Sequence, residues 1–321
     1  MSAEGSAGRS KKVPWRDVHG ILLLDKPQGL SSNQALQSVR HLYRAAKAGH
    51  TGSLDPLATG LLPICFGEAT KIAGLLLGAH KAYETTCRLG ATTDTDDADG
   101  TVLVERKVPV LDAARIESAL AKLTGRITQV PPAYSAIKQA GVPLYRKARR
   151  GEEVVAPPRE VEIARFELLE LTPTHLRLHI ECGSGTYVRS LVRDLGEALG
   201  CGAHVESLRR LWVAPFTAPQ MTDIATLRGL AESDPAALDA LLLPLENGLS
   251  AWPQVQVSEN DAIRLRHGQK IATSADEGRC VAVDAAGRAL ALAECGPDGR
   301  LRSIRGINST VNPSTPTEKQ G

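Results

Sequence analysis

The 321-residue sequence lacks several features that would place it in common protein classes. Aromatic residues make up only 3% of the chain and the net charge is only +2, so neither quantity by itself indicates a nucleic-acid partner. No apolar run approaches membrane-spanning length, since the cluster Ile21 to Leu24 is far too short. The N-terminus has no signal-peptide core. These absences predict a globular, cytoplasmic protein with no membrane partner.

Signatures of metals and cofactors are also missing. The six cysteines are scattered without a Cys-x-x-Cys pair, which fits reduced, buried thiols and gives no support to a zinc site. The run Asp94–Asp99 suggests a calcium loop, but counting from Thr95 puts Arg106 where the loop needs its last glutamate. The run 183–185 starts like a dinucleotide fingerprint, yet Val188 replaces the third glycine. Since a Walker loop is absent too, the sequence predicts no metal and no cofactor.

One loop bounded by glycines is the strongest signal in the sequence. It runs Gly49-His50-Thr51-Gly52-Ser53-Leu54-Asp55-Pro56-Leu57-Ala58-Thr59-Gly60. The glycines allow sharp turns and close approach to a ligand, and Pro56 biases Asp55 away from helical backbone. A presented nucleophile needs this mixture of glycines, hydroxyls and one carboxylate, whereas a buried core does not. A turn with a solvated aspartate is the plain alternative.

Hydrophobic periodicity predicts helices and strands in alternation. The spacing Ser31-x-x-Gln34 predicts a capping box and a helix that Gly49 ends. Further helices are predicted over about 68–77, from Asp112 to Gly125, over 188–200 and over 238–249. Strands are predicted over 81–90, 176–182, 254–257, 279–284, 289–295 and 301–304. This mixture predicts an α+β fold with a mixed, largely antiparallel sheet.

Composition divides the chain into four segments. Residues 1–15, which are basic, and residues 309–321 are predicted to be disordered. Residues 16–250 carry most helices and strands, and residues 251–308 have the short strands of a small β-rich module. Basic residues interleaved with tyrosine at about 129–160 suit contact with a nucleic-acid backbone plus base stacking. The basic residues are Lys138, Arg146, Lys147, Arg149 and Arg150, and the tyrosine among them is Tyr145.

These motifs resemble the bacterial tRNA pseudouridine synthases of the TruB family. Besides the Asp55 loop, the resemblance rests on Lys26-Pro27, the strand from Lys81 to Gly90, Thr186-Tyr187-Val188-Arg189 and Leu208-Arg209-Arg210, and it covers roughly residues 19–306. It implies the mixed sheet of the pseudouridine synthase fold, a thumb insertion at about 129–160 and a PUA-like RNA-binding domain over 251–308. It also implies a cofactor-free isomerase that flips uridine 55 out of the tRNA T loop and converts it to pseudouridine.

The same resemblance implies three catalytic residues. Asp55 adds covalently to the substrate, and the sequence leaves open whether it attacks C1′ of the ribose or C6 of the uracil. Arg189 pairs with Asp55, holds it ionised and fixes its direction. Tyr83 stacks on the flipped base and helps to remove the proton that leaves before rearomatisation. A surface arginine and a core aromatic are the alternatives for the last two.

Six further residues are expected to bind the substrate. By resemblance, His50 enters the RNA loop and replaces the stacking lost by the flipped base, while Tyr187 lines the pocket or packs under the base. Asp97 orients loops or contacts RNA. A loop hydrogen bond and a solvated turn are the alternatives for His50 and Asp97. The others in this set are Leu208, Lys26 and Lys138.

The expected partner is tRNA, bound through its T arm and its acceptor stem. The sequence indicates no obligate protein partner, so we expect a monomer. Two other functions stay open: a non-catalytic tRNA-binding or tRNA-folding factor on the same scaffold, and the same chemistry on another RNA. Intact Asp55 and Arg189 argue against the first as the sole role, and the thumb with Leu208–Arg210 argues weakly against the second.

Overall fold

The computed structural model describes residues 14–308 except 136, 140 and 153. Within that range the strands are β1 (Gly20–Lys26), β2 (Ala48–His50), β3 (Thr59–Phe66), β4 (Lys81–Leu89), β5 (Ala91–Thr93), β6 (Val102–Glu105), β7 (Gly125–Gln129), β8 (Lys138–Gln139), β9 (Val142–Pro143), β10 (Arg159–Leu171), β11 (His175–Cys182), β12 (Ala203–Val213), β13 (Thr222–Asp223), β14 (Gln254–Gln256), β15 (Ile271–Ala272), β16 (Gly278–Val283), β17 (Ala289–Cys295) and β18 (Arg300–Gly306). The α-helices are α1 (Ser32–Tyr43), α2 (Ala73–Leu77), α3 (Ala113–Lys122), α4 (Leu144–Ala148), α5 (Val188–Leu199), α6 (Ile224–Ser233), α7 (Pro235–Ala240) and α8 (Glu259–Arg266), and 3-10 turns cover Gly67–Lys71 and Leu245–Leu249.

Two sequence predictions cannot be compared with this structure in full. The disordered tails predicted for residues 1–15 and 309–321 lie outside the described residues, apart from positions 14 and 15. Among the described helices, each is too short or too polar to span a bilayer.

A nine-stranded sheet organises the described part of residues 16–250. Its strand order is β13-β1-β3-β12-β4-β11-β10-β7, and β2 pairs with β3 beside this path. The β1–β13 and β3–β12 pairs are parallel, and the other pairs are antiparallel. The predicted α+β fold with a mixed, largely antiparallel sheet is therefore confirmed.

The alternation of side chains along β1 gives the sheet two separate cores. Leu22 and Leu24 pack into the larger core, which also holds the apolar faces of α1 and α5. Ile21 and Leu23 point the other way and pack into a second core. Each fully buried leucine or isoleucine contributes about 1.5–3 kcal/mol, so both faces of this short strand stabilise the fold.

Helix α1 begins where the sequence predicts and ends earlier. Ser31 and Gln34 form the predicted capping box. The helix ends at Tyr43, because Arg44 adopts a left-handed conformation with φ of 51°. The prediction that Gly49 ends the helix is wrong, since Gly49 pairs with β3 inside β2. A left-handed arginine is uncommon, so the sequence carries no clear signal for this end.

Three other helix predictions need correction. Gly125 does not end α3, which stops at Lys122; it opens β7 instead. The segment 68–77 is a 3-10 turn followed by α2. The segment 238–249 is also broken, because Leu243 leaves the helical path to exchange backbone hydrogen bonds with Ile21 of β1. The helix predicted from Val188 is confirmed, with Gly200 as its left-handed cap.

The described C-terminal strands form a separate five-stranded sheet in the order β14-β16-β17-β18-β15. The strands predicted over 254–304 are confirmed with small shifts of their ends. Residues Val281, Leu292 and Ile307 pack into the second core with Ile21 of β1, and the Lys71 ammonium donates to the carbonyl of Gly306 at 2.8 Å. The module is therefore packed directly on the large sheet. Its PUA-like character stays a prediction.

Candidate active site

A cavity of about 650 Å³ opens where the Asp55 loop, β4, β12 and the start of α5 meet. This size suits a small ligand or one nucleoside. Five of the residues predicted from the sequence line it, although they are far apart along the chain. They are Asp55, Tyr83, Tyr187, Arg189 and Leu208.

The loop that presents Asp55 is fixed by hydrogen bonds on both sides of the carboxylate. The Ser32 hydroxyl donates to the carbonyl of Leu54 at 3.0 Å and accepts from its amide at 2.7 Å. The amide of Gly29 donates to the carbonyl of Pro56 at 2.8 Å. Asp55 is thus held between two anchored neighbours, as a preorganised nucleophile requires.

Gly60 allows β3 to leave this loop in close contact with β12. Its φ is 96°, and a Cβ atom there would lie 2.2 Å from the carbonyl oxygen of Arg210. Only glycine fits this position without a backbone shift. Close backbone packing therefore requires the glycine at the end of this loop, whether or not a ligand approaches it.

Arg189 lies in the first turn of α5 and reaches Asp55. Its Nε atom is 2.9 Å from Asp55 Oδ2, and its Nη1 atom is 3.2 Å from Asp97 Oδ2. The guanidinium also donates to the carbonyls of Thr95 and Tyr134 at 2.8 and 3.0 Å. The Nε–H bond is not directed at the carboxylate as in a hydrogen bond, so this contact is an ion pair. Four partners fix the guanidinium plane.

The charge state of Asp55 depends on opposing effects. Burial raises the pKa of the Asp55 carboxyl above its ordinary value and Asp97 adds to this rise, while the Arg189 guanidinium and the Lys26 ammonium oppose it. Its side chain is still 42% exposed, so a ligand can reach it. The two cations favour the ionised form that a nucleophile needs.

The acidic turn braces α5 and gives no sign of binding calcium. Asp97 is buried beside Arg189 and accepts a hydrogen bond from the amide of Asp99 at 3.1 Å. Asp96, with φ of 60°, pairs with Arg193 at 2.8 Å, one helical turn after Arg189. Across the described ranges, no cluster of three His, Cys, Asp or Glu side chains is arranged to hold a metal ion.

Tyr83 faces Arg210 across the β4–β12 pair. Both side chains are buried, and both line the cavity. Burial raises the pKa of the Tyr83 phenol, and the neighbouring Arg210 guanidinium opposes this rise. Arg210 donates to the carbonyl of Leu61 at 2.7 Å and to that of Gly52 at 3.3 Å. It therefore ties the Asp55 loop to the wall that carries Tyr83.

Two buried lysines support the cavity from different sides. Lys26 is fully buried under the Asp55 loop and donates to the carbonyls of Leu30 and Pro27 at 2.6 and 2.8 Å. It does not line the cavity. Lys81 does line it, and donates to the carbonyls of Leu77 and Ala79 at 3.1 and 2.6 Å.

Burial lowers the pKa of each of these two ammonium groups to about 8. The sequence indicated Lys26 through the Lys-Pro motif. It marked Lys81 only as the start of a strand.

Comparison with known proteins identifies the family to which this arrangement belongs. Residues 40–188 match the TruB family pseudouridylate synthase (N terminal domain), residues 189–250 match the tRNA pseudouridylate synthase B C-terminal domain, and residues 252–307 match tRNA Pseudouridine synthase II, C terminal. A curated tRNA pseudouridine synthase B from Xanthomonas campestris pv. campestris (strain 8004) is 55% identical over 304 residues, which cover 94% of this chain and 98% of the relative. Another, from Stutzerimonas stutzeri (strain A1501), is 52% identical over 297 residues, covering 92% and 97%. The chain belongs to the TruB family of pseudouridylate synthases.

Solved structures share the fold of this TruB-family chain. A Cbf5-Nop10-Gar1 complex matches with a TM-score of 0.69 at 23% identity, covering 87% of this chain and 78% of that chain. An archaeal box H/ACA sRNP Nop10-Cbf5 complex matches with a TM-score of 0.70 at 20% identity, covering 91% and 87%. These likenesses confirm the predicted pseudouridine synthase fold.

In this TruB-family chain, Tyr187 is contacted by residues at both ends of the segment 129–160. Gln129, at the end of β7, is fully buried; its side chain accepts from the Tyr187 amide at 2.8 Å and donates to the Tyr187 carbonyl at 3.1 Å. Arg159, at the start of β10, lies over the Tyr187 ring at 5.6 Å. Gln129 and Arg159 are paired residues of neighbouring strands. Neither was singled out from the sequence.

The remaining predicted residues lie outside the cavity. His50 ends β2, and its Nδ1 atom accepts from the amide of Gly52 at 3.4 Å. Burial lowers the pKa of the His50 imidazole, so it is neutral at pH 7. Lys138 lies exposed on β8 in the thumb, close in sequence to Tyr145, whose ring is approached by the guanidinium groups of Arg146 and Arg149.

Proposed function

We propose that this protein converts uridine 55 in the T loop of tRNA to pseudouridine. As a member of its family it is an enzyme, a tRNA pseudouridine synthase. The observation that carries the chemistry is the ion pair between Asp55 and Arg189 inside a cavity large enough for one nucleoside. The reaction is an isomerisation, so it needs neither an oxidant nor a second substrate.

The chemistry assigns Asp55 the role of nucleophile. The N1–C1′ bond breaks, the uracil rotates, and a C5–C1′ bond forms while the C5 proton leaves and N1 gains a proton. A carboxylate oxygen of Asp55 adds to C1′ or to C6 in this sequence and is released at the end. Arg189 positions the carboxylate, because its other N–H groups are held by the acidic turn and by the Tyr134 carbonyl. Its positive charge favours the ionised form of Asp55 against the effect of burial.

The base is bound between the walls of the cavity. We assign stacking on the uracil to Tyr83, whose phenol also takes part in removing the C5 proton, and contact with the base to Tyr187 and Leu208. Asp97 acts through Arg189, and Lys26 acts through the Asp55 loop. In this proposal neither of these two touches the substrate.

RNA contacts outside the cavity come from the thumb and from His50. Half-buried and neutral, His50 fills the space left by the flipped base. Exposed Lys138 and the basic cluster around Tyr145 contact the T arm. We also propose that residues 251–308 bind the acceptor stem, that residues 16–250 carry the chemistry, and that the protein acts in the cytoplasm as a monomer.

The test maps pseudouridine in an unmodified tRNA transcript after incubation with the purified protein. We expect conversion at position 55 by the natural chain, none by Asp55→Asn, and tRNA affinities within several-fold of each other. Asp99→Asn is a matched control, because Asp99 is exposed and outside the cavity. Conversion by Asp55→Asn in a single turnover contradicts the nucleophile. Tight binding without conversion by the natural chain supports the non-catalytic alternative, and conversion at other positions contradicts the substrate site.

A further inference from the structure

One cation at the cavity lacks the partners that hold the others. Arg189 and Arg210 donate to backbone carbonyls, as Lys81 also does. The Arg159 guanidinium has neither a hydrogen bond nor an ion pair with any residue that the structure describes, and it lies over the ring of Tyr187 at 5.6 Å. The Arg159 guanidinium therefore keeps its N–H groups available for a ligand.

Arg159 lies at the mouth of the cavity, unlike the buried residues of its floor. Tyr83, Arg189 and Arg210 are at most 7% exposed. Arg159 is half-buried at the start of β10, and a Cβ atom on exposed Gly185 would lie 3.5 Å from its Nη1 atom. The buried residues of the floor can therefore contact a group that enters the cavity, and Arg159 can contact a group that stays at the entrance.

An aromatic contact orients the Arg159 guanidinium before any ligand arrives. Its guanidinium lies over the ring of Tyr187, and Gln129 holds the backbone of Tyr187 through two hydrogen bonds. This cation–π contact uses none of the N–H groups, so the planar fork of the guanidinium remains free to donate. A planar fork of this kind matches two oxygens of a phosphate.

We propose that Arg159 binds a phosphate group of the RNA strand next to the flipped uridine. This inference rests on the proposed function, because flipping places the base inside the cavity and leaves its sugar–phosphate backbone at the entrance. The phosphate contact fixes how far the nucleotide enters and so places C1′ against Asp55. Arg159 is a substrate-positioning residue for this reaction.

The test combines Arg159→Met with a T-arm stem-loop in which single phosphates around the target uridine are replaced by neutral methylphosphonates. A hydrogen bond between charged groups corresponds to roughly a 10- to 100-fold effect. We expect Arg159→Met to lower kcat/KM by about that factor. One methylphosphonate should lower kcat/KM similarly for the natural chain and leave Arg159→Met unaffected. Arg126→Met is the matched control, because Arg126 is exposed on β7 and lies outside the cavity.

Two further variants keep the outcome clear. Arg159→Lys keeps the charge but not the fork, and we expect an intermediate loss that is still sensitive to the same methylphosphonate. If every methylphosphonate affects the natural chain and both Arg159 variants equally, Arg159 does not bind a phosphate and the inference is wrong. If Arg159→Met matches Arg126→Met, the inference is also wrong while the proposed function stands. Failure of the natural chain to convert any substrate contradicts the proposed function instead.

Discussion

Lys26→Met replaces a fully buried ammonium with an apolar side chain of similar length. Its effect on the free energy of unfolding and its effect on the reactivity of Asp55 can be measured separately. Burial lowers the pKa of Lys26 from 10.5 to about 8. This shift corresponds to about 3 kcal/mol of unfavourable burial of charge. The variant removes that cost but loses two short hydrogen bonds from a charged donor, each worth about 1.5–3 kcal/mol. The free energy of unfolding at pH 7 should therefore fall by no more than about 3 kcal/mol.

The same shift predicts how stability changes with pH. The pKa of Lys26 is lower in the folded protein than in the unfolded chain, so the unfolded chain binds more protons between about pH 8 and 10.5. The contribution of Lys26 to the free energy of unfolding therefore rises with pH in this window. The Lys26→Met variant lacks this part of the rise, which urea unfolding at several pH values measures.

The effect on catalysis comes through Asp55. Because the Lys26 ammonium lowers the pKa of Asp55, its removal raises that pKa and moves the acidic limb of the rate profile to higher pH. Single-turnover rates on a T-arm stem-loop, from about pH 4 to 8, measure this limb. Lys47→Met is the control, since Lys47 is an exposed lysine outside the cavity. An unmoved acidic limb, or a loss of stability clearly above about 3 kcal/mol, would refute this reasoning.

Three other substitutions test single contacts. Arg189→Lys cannot reproduce the four contacts of the guanidinium with Asp55, Asp97 and two carbonyls, so the single-turnover rate should fall at least about 100-fold with RNA affinity nearly unchanged. A near-normal rate would contradict the pairing. Tyr83→Phe keeps the stacking face; we expect unchanged RNA binding and lost turnover, whereas normal turnover leaves Tyr83 as a stacking residue only. Gly60→Ala should lower the free energy of unfolding by about 2 kcal/mol or more, because its φ is 96° and a backbone oxygen lies 2.2 Å from the new Cβ; Gly229→Ala, with open space around it, should not.

Strand β11, which the sequence predicted, differs physically from two strands that it did not predict. In β11 every second side chain is buried along the whole strand. Long strands β10 and β12 were not predicted, and each contains two register shifts where the pairing is irregular. A bulge moves the following side chains to the other face of the sheet. The alternation of apolar and polar residues along the sequence is then lost.

The residues of the candidate site also divide into those that a local sequence pattern marks and those that it does not. The loop around Asp55 is local, so its glycines and proline mark it in the sequence. Gln129 contacts Tyr187 from 58 positions away, and Arg210 reaches Gly52 from 158 positions away. Such contacts depend on strand order, which one sequence without a structure does not provide. The Arg189 prediction came from the resemblance to the family.

The second core determines what removal of the C-terminal module would do to the rest of the protein. Strand β1 leads into the lysine beneath the nucleophile at one end, and along its length its outer face is also packed against the C-terminal module. Cutting away that module would therefore remove part of the core that buries Ile21 and Val213, as well as any RNA contact that the module makes. Under the proposed function, the region that carries the chemistry and the module that binds the acceptor stem are therefore joined by one shared apolar core.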